Sequence, residues 1–313
     1  MQIIRGIHTA IPYVDGAVIS IGNYDGIHLG HKAILQSVRS LASELSLAST
    51  IITFEPYPWE FFSGEKAVPR LTTFREKIQL FEKEGIDKVL CIKFNESFAK
   101  VQPQQFVNNF LVKKLGVKYL ILGKDFRFGK DRAGSIDLLR ELALTAAFQV
   151  NVIDELKYKG ERVSSSGIRL ALQKKDLGLA NTLLGRRYSL SGRVAYGDQR
   201  GRQWGIPTAN IHLKPNDTPL RGVFAVLAKG MTDRTVKGVA NIGTRPTVSG
   251  LKFLLETHFF DYQGDVYGKR IRIEFCDWLR DERQFDNSED LTNQIKKDVV
   301  DARSWFKSRK IDD

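Results

Sequence analysis

Two histidines three residues apart, His28 and His31, stand in the stretch "VISIGNYDGIHLGHKAIL" with Asn23 and three glycines spaced four apart, Gly22, Gly26 and Gly30. Upstream, Val18, Ile19 and Ile21 read as a buried strand; downstream, Ile34, Leu35, Val38, Leu41, Ala42 and Leu45 recur at helical spacing. The polar residues therefore fall in a strand-to-helix turn, where unpaired helical N–H groups and the helix dipole favour anions. Two imidazoles on one side of such a turn can donate to phosphate oxygens as charge builds in a transition state. A structural pair of turn histidines is the alternative, and a metal site would need a third ligand that is not nearby. The pattern is not G-x-G-x-x-G. A second stretch, "GKDFRFGKD" from Gly123 to Asp131, misses the P-loop by one residue between its glycines and by Asp131 where Ser or Thr belongs. A nucleotide fits; a P-loop NTPase does not.

Three further constellations could do chemistry. In "RVSSSGIRLAL", consecutive serines precede an amphipathic run and cap a helix, while Ser165, Ser166 and Arg169 would offer hydroxyl and guanidinium donors to a polyphosphate. In "GRQWGIPTANI", Thr208 and Asn210 follow Pro207 at alternate positions, which puts both side chains on one face of an extended segment. A hydroxyl and an amide oxygen suit Mg²⁺ bridged to ATP phosphates, although a turn and a strand start explain the same four residues. In "KFLLETHFFDYQGDVYGKRIRIEF", alternation puts Glu256 on the strand face of Leu254 and Phe260; an acid among apolar neighbours has a raised pKa and suits general-base work.

The elements that must position these residues divide into two halves. From Val18 to about Leu184, strand-like runs such as "ASTIITF", "DKVLCIKF", "VKYLILG" and "FQVNVID" alternate with helical stretches, "FREKIQLFEKEG", "PQQFVNNFLVKKLG" and "SIDLLRELALTAA", the pattern of βα units on a parallel sheet. Asp125, Arg127 and Gly129 come directly after one of these strands, at the carboxyl edge where parallel sheets bind ligands. "TFEPYPWEFF" reads as an extended edge fixed by two prolines. Beyond "LLGRRYSLSGRV", short strands with frequent turns and one amphipathic helix near "SEDLTNQIKKDVVDARSWF" predict a small β-barrel with a terminal helix. The expected domains are 1–184 and 185–313.

Composition narrows the class. The chain has 313 residues, enough for about two domains, and a net charge of +12 that suits polyphosphates, nucleic acid or simple solubility. Two cysteines far apart are too few for a disulfide framework or a zinc site and favour a reducing cytoplasm. The first residues lack a signal-peptide pattern, and no apolar run is long enough to span a bilayer.

"GNYDGIHLGH" resembles the HxGH signature of the nucleotidyltransferase superfamily, and with "GIPTAN" and the run from Glu256 to Gly268 the chain is similar to the bifunctional bacterial riboflavin kinase/FMN adenylyltransferase (FAD synthetase) family over nearly its whole length. The resemblance implies a Rossmann-like N-terminal domain and a riboflavin kinase barrel. It implies that Gly22, Asn23, Gly30, Ser165, Ser166, Arg169, Gly205 and Pro207 contact ATP and phosphate, with His28 and His31 catalytic. It implies that Asp125, Phe126 and Arg127 line the flavin and ATP site, with Arg280, Asp281 and Arg283 closing on the flavin. Thr208 and Asn210 become the Mg²⁺-ATP residues, and Glu256 the base that accepts the riboflavin hydroxyl proton. The family has histidine where Tyr57 stands, threonine where Ser166 stands and often arginine at Gly167.

The implied reactions are phosphorylation of riboflavin to FMN in the barrel and adenylylation of FMN to FAD in the first domain, both with ATP. The partners expected are these small molecules, with no nucleic acid and no membrane; self-association is compatible with the sequence. Two other readings stand beside this one: a nucleotidyltransferase acting on a different phosphorylated substrate, and a nucleic-acid-binding protein, for which no aromatic-basic stripe is evident.

Overall fold

The computed structural model describes residues 1–9, 15–196, 206–214, 216–247 and 250–310. The chain forms two compact units, Met1–Ser165 and Ser166–Asp313.

The first unit is a six-stranded parallel sheet. Its strands are β1 (Gln2–Arg5), β2 (Ala17–Ile21), β3 (Ala48–Glu55), β4 (Lys88–Lys93), β5 (Val117–Gly123) and β6 (Gln149–Ile153), in the spatial order β1-β4-β3-β2-β5-β6. Helices α1 (Leu29–Glu44), α2 (Pro58–Ser63), α3 (Phe74–Lys83) and α4 (Ile136–Ala146) join them, with a π-helix over Phe106–Lys114. β2 is buried along its whole length, as a strand covered on both faces must be. Ile19, Ile21 and Leu120 face one core with Val107, Leu111 and Leu139. Val18, Ile51, Val89 and Ile121 face the other with Leu35, Val38 and Phe81. This is the doubly wound arrangement that the βα alternation predicts, and β1, only four residues long, is the strand that alternation does not reveal.

From β2 the chain adds β3 and β4 on one side, then returns to add β5 and β6 on the other. The reversal between β2 and β5 is a topological switch point, and the loops leaving the carboxyl ends of those two strands diverge there to form a crevice. The loops in question are the two near-miss glycine turns. "TFEPYPWEFF" is not extended throughout: Pro58 opens α2, and the Glu60 carboxylate accepts the Tyr57 N–H at 2.9 Å. Proline is pre-set for the first helical position.

After the small hairpin of β7 (Lys157–Tyr158) and β8 (Glu161–Arg162) come α5 (Ser165–Gln173) and α6 (Leu177–Leu184). The second unit is a closed antiparallel barrel of β9 (Ser189–Ala195), β10 (Ala209–Leu213), β11 (Gly222–Lys229), β12 (Val236–Thr247), β13 (Gly250–Phe259) and β14 (Arg270–Arg280), with the terminal helix α7 (Ser288–Ser308). The barrel order is β10-β13-β12-β11-β14-β9. Phe260, Val239, Val223, Ala225 and Leu227 pack with Ala302 and Phe306 of α7, so this set of side chains marks the outer face. Arg280 fixes the helix further through a bidentate pair with the buried Asp298 carboxylate, at 2.7 and 2.8 Å.

Candidate functional site

The turn from β2 to α1 is tight and strained. Tyr24, Gly26 and Ile27 all have positive φ, at 53°, 84° and 38°. For a β-branched residue such as Ile27 this costs on the order of 1–3 kcal/mol and persists only where the surroundings enforce it. Gly22 leaves room for the Tyr24 ring, which a Cβ there would approach to 3.0 Å.

The enforcing frame is the buried Asp25 carboxylate, which accepts the Leu71 and Thr72 N–H groups at 3.0 and 3.1 Å and the Thr72 and Tyr57 hydroxyls at 3.2 and 3.3 Å. The Asp25 carbonyl accepts the Ser165 hydroxyl at 2.9 Å. Lys77, fully buried on α3, donates to the Asn23 carbonyl at 3.3 Å and to Thr53 Oγ1 at 3.0 Å, and its ammonium lies 4.2 Å from the Tyr57 ring centre. Burial holds the Lys77 pKa down at about 8, against the opposing pull of Glu55 and Asp25. Tyr57 therefore keeps a polar link to the turn where the family has histidine, while burial, and then the Asp25 charge, push its phenol upward.

Within this frame His28 is the N-cap of α1, its Nδ1 accepting the His31 N–H at 3.3 Å. An accepting Nδ1 puts the proton of the neutral ring on Nε2. The two imidazoles stack with centres 3.7 Å apart, and the Tyr24 ring backs His31 at 5.0 Å. Gly30 permits this: a Cβ there would stand 3.2 Å from the His28 ring. A helix N-terminus, two stacked imidazoles and a switch-point crevice are together the kind of geometry that suits an anion. Asn23 adds a buried Oδ1 with no hydrogen-bond partner among the described residues.

The barrel holds a second cluster. Glu256 lies directly opposite Asn210 of β10 on one side and Asn241 of β12 on the other. Directly opposed residues of an antiparallel ladder project to the same face, and here it is the outer face, because Val239 and Phe260 share it. The Oδ1 atoms of Asn210 and Asn241 are both buried without a hydrogen-bond partner among the described residues. Glu256 is half-buried, so its cross-strand neighbours are amides, where strand alternation by itself offered only Leu254 and Phe260. His258, two residues on, holds the Pro207 carbonyl at 2.9 Å and so fixes the half-buried Thr208 at the mouth of β10.

Residues 11–167 match the family model for FAD synthetase, and residues 184–306 match that for riboflavin kinase. A bifunctional riboflavin kinase/FMN adenylyltransferase from Haemophilus influenzae is 41% identical over 308 residues, 98% of this chain and 100% of the relative. The chain belongs to the bifunctional riboflavin kinase/FMN adenylyltransferase family. A second member, from Pseudomonas fluorescens, is 42% identical over 305 residues, covering 97% of each chain. Among solved structures, a macrolide-efflux protein from Streptococcus pneumoniae superposes with a TM-score of 0.80 at 25% identity, over 97% of this chain and all of that one.

For a riboflavin kinase/FMN adenylyltransferase, the remaining expected residues lie as follows. Phe126 is partly buried beyond β5, stacked on Phe128, and ring contacts continue through Phe106, Phe98 and Phe94 to Phe62, which is 70% exposed. Asp125 pairs with Arg162 at 2.6 Å, and Arg127 is exposed in the same loop. Ser166 is exposed at the start of α5, and Arg169, one turn along, is buried. Arg283 is exposed, whereas the Arg280 guanidinium is engaged by Asp298. Gly205 lies outside the described residues. Reading motifs missed Asp25, Thr72, Lys77 and Asn241. For Lys77 a signal existed, since it occupies the apolar face of α3 with Phe74, Ile78 and Phe81.

Proposed function

We propose that each half of the enzyme catalyses one of two consecutive phosphorus transfers, adenylyl transfer in residues 1–184 and phosphorylation in 185–313. Riboflavin and ATP give FMN; FMN and a second ATP give FAD and pyrophosphate. The reading of the kinase site rests on one observation, the cross-strand pairing of Asn210 with Glu256.

In the barrel, the Asn210 oxygen, buried without a hydrogen-bond partner among the described residues, and the Thr208 hydroxyl two positions before it are a donor set that suits a hard cation. Thr208 and Asn210 would hold Mg²⁺, which neutralises phosphate charge when bound. Glu256 orients the ribityl 5′-hydroxyl and takes its proton as the oxygen attacks the γ-phosphorus and the bond to ADP breaks. Pro207 borders the ATP phosphates, and Arg280, Asp281 and Arg283 border the flavin.

In the first domain, an FMN phosphate oxygen attacks the α-phosphorus of ATP and pyrophosphate leaves. His28, His31 and Arg169 stabilise the charge that develops, and Gly22, Asn23, Gly30, Ser165 and Ser166 receive the phosphates. Asp125, Phe126 and Arg127 hold the flavin, with aromatic faces suited to stacking on its rings. Among the described residues no helix is long and apolar enough to cross a membrane. The cytoplasm is the proposed compartment, where Cys91 and Cys276 stay reduced.

Chromatography of products from riboflavin, ATP and Mg²⁺ tests the whole reading. FMN should appear first and FAD second; FMN with no FAD, or neither product, would overturn it.

A further inference from the structure

The kinase face holds one amide that none of the assigned roles uses. Asn241 lies across from Glu256 on the side away from Asn210, so the three side chains form a row over β10, β13 and β12. With strands about 5 Å apart, the row is roughly 10 Å long and Glu256 stands at its centre. Both amide oxygens in the row are buried without hydrogen-bond partners among the described residues, although each is an obligatory acceptor. Such a pair of orphaned acceptors, symmetric about a carboxylate, indicates a ligand on either side.

The two sides cannot take the same ligand. In phosphoryl transfer the leaving oxygen, the γ-phosphorus and the attacking oxygen lie roughly in line. A nucleotide held at Asn210 therefore obliges the alcohol to enter from the Asn241 side. The surroundings agree with that direction. Two residues beyond Asn241 on the same face of β12, the Glu282 carboxylate occupies the space that a Gly243 side chain would fill, and it accepts the Thr244 N–H at 3.1 Å. A carboxylate there can accept from hydroxyl groups, and its negative charge, partly offset by Arg221 and Arg280, does nothing to attract a polyphosphate.

We infer that Asn241 binds the polyol chain of the acceptor, its amide oxygen accepting from a ribityl hydroxyl next to the one that Glu256 deprotonates. Asn241 thus positions the alcohol and takes no proton itself. The inference rests on the assignment of Glu256 and Asn210 given above.

The test uses the full chain and the FMN-forming reaction alone, with lumiflavin, which has the flavin ring without the polyol, as a competing inhibitor. In Asn241→Ala the KM for riboflavin should rise roughly 5- to 150-fold, the range for leaving one buried polar partner unsatisfied. The Ki of lumiflavin, the KM of ATP and the Mg²⁺ dependence should stay at parent values. Equal weakening of riboflavin and lumiflavin, no change in either, or a shift confined to ATP or Mg²⁺ would each overturn the proposal. Should Asn241→Ala not fold, Asn241→Leu, close to asparagine in size, carries the same test. The parent protein gives an independent check: lumiflavin inhibiting with a Ki at or below the riboflavin KM means that the polyol is not recognised. Glu256→Gln is assayed alongside. If it keeps the parent rate, the reading of the whole row falls; if it is slow while Asn241→Ala leaves the riboflavin KM unchanged, only the role of Asn241 falls.

Discussion

His258 grips Pro207: its Nδ1 lies 2.9 Å from the Pro207 carbonyl oxygen. A carbonyl only accepts, so Nδ1 carries the hydrogen. The bond ties the segment before β10 to β13 two residues from Glu256, which makes His258 a positioning residue for Thr208. His258→Ala should raise the KM for Mg²⁺-ATP in FMN formation by several-fold, as loss of one neutral hydrogen bond implies. Conversion of supplied FMN to FAD should not change. A variant whose ATP KM equals the parent's would show that the strand holds Thr208 without this bond.

The two clusters proposed as catalytic should fail independently. Glu256→Gln keeps the side chain's size but removes the proton acceptor, so FMN formation should fall about 10²- to 10⁴-fold while FAD formation from FMN holds. Replacing His28 and His31 together by alanine should do the reverse. One lost donor to a developing phosphate charge commonly costs about 10²- to 10³-fold, and FMN should accumulate. Parallel circular dichroism separates these losses from unfolding.

Gly30→Ala separates local geometry from stability. Position 30 is helical, where alanine is favoured over glycine by up to about 1 kcal/mol, yet a Cβ would press on the His28 ring at 3.2 Å. Adenylyl transfer should drop without a fall in melting temperature. A variant with full activity would mean that His28 can move aside without consequence.

Lys77 should leave a signature at alkaline pH. Its ordinary pKa of 10.5 is lowered to about 8 by burial. Below about pH 8 both folded and unfolded chains hold the proton. Between there and 10.5 the unfolded chain binds more of it, so this group makes stability rise with pH over that interval. Tyr57 and Cys91, whose pKa values are raised, act oppositely. The difference between parent and Lys77→Met in urea unfolding isolates the effect; parallel pH profiles would show that Lys77 is not desolvated as its burial implies.

The sequence determined the elements and their local chemistry. Apolar alternation is a property of neighbours along the chain, and it placed β2, β3, β4, β5 and β6, the helices between most of them, the His28–His31 turn and the change to a barrel. It could not determine which strands become adjacent. The order that brings β5 beside β2 makes the Gly22–Gly30 turn and the Gly123–Asp131 loop flank one crevice, and neither turn encodes the other. Only the tertiary structure, too, set the barrel register that puts Asn210 and Asn241 against Glu256. Register is fixed by the packing of whole strands around a closed sheet, and a shift of β13 by one residue would have turned Glu256 to the face opposite both amides. Lys77 and Asp25 illustrate the same division. Their residue types are visible in the sequence, but their burial, and hence the chemistry that burial gives them, exists only once the sheet and helices have closed over them.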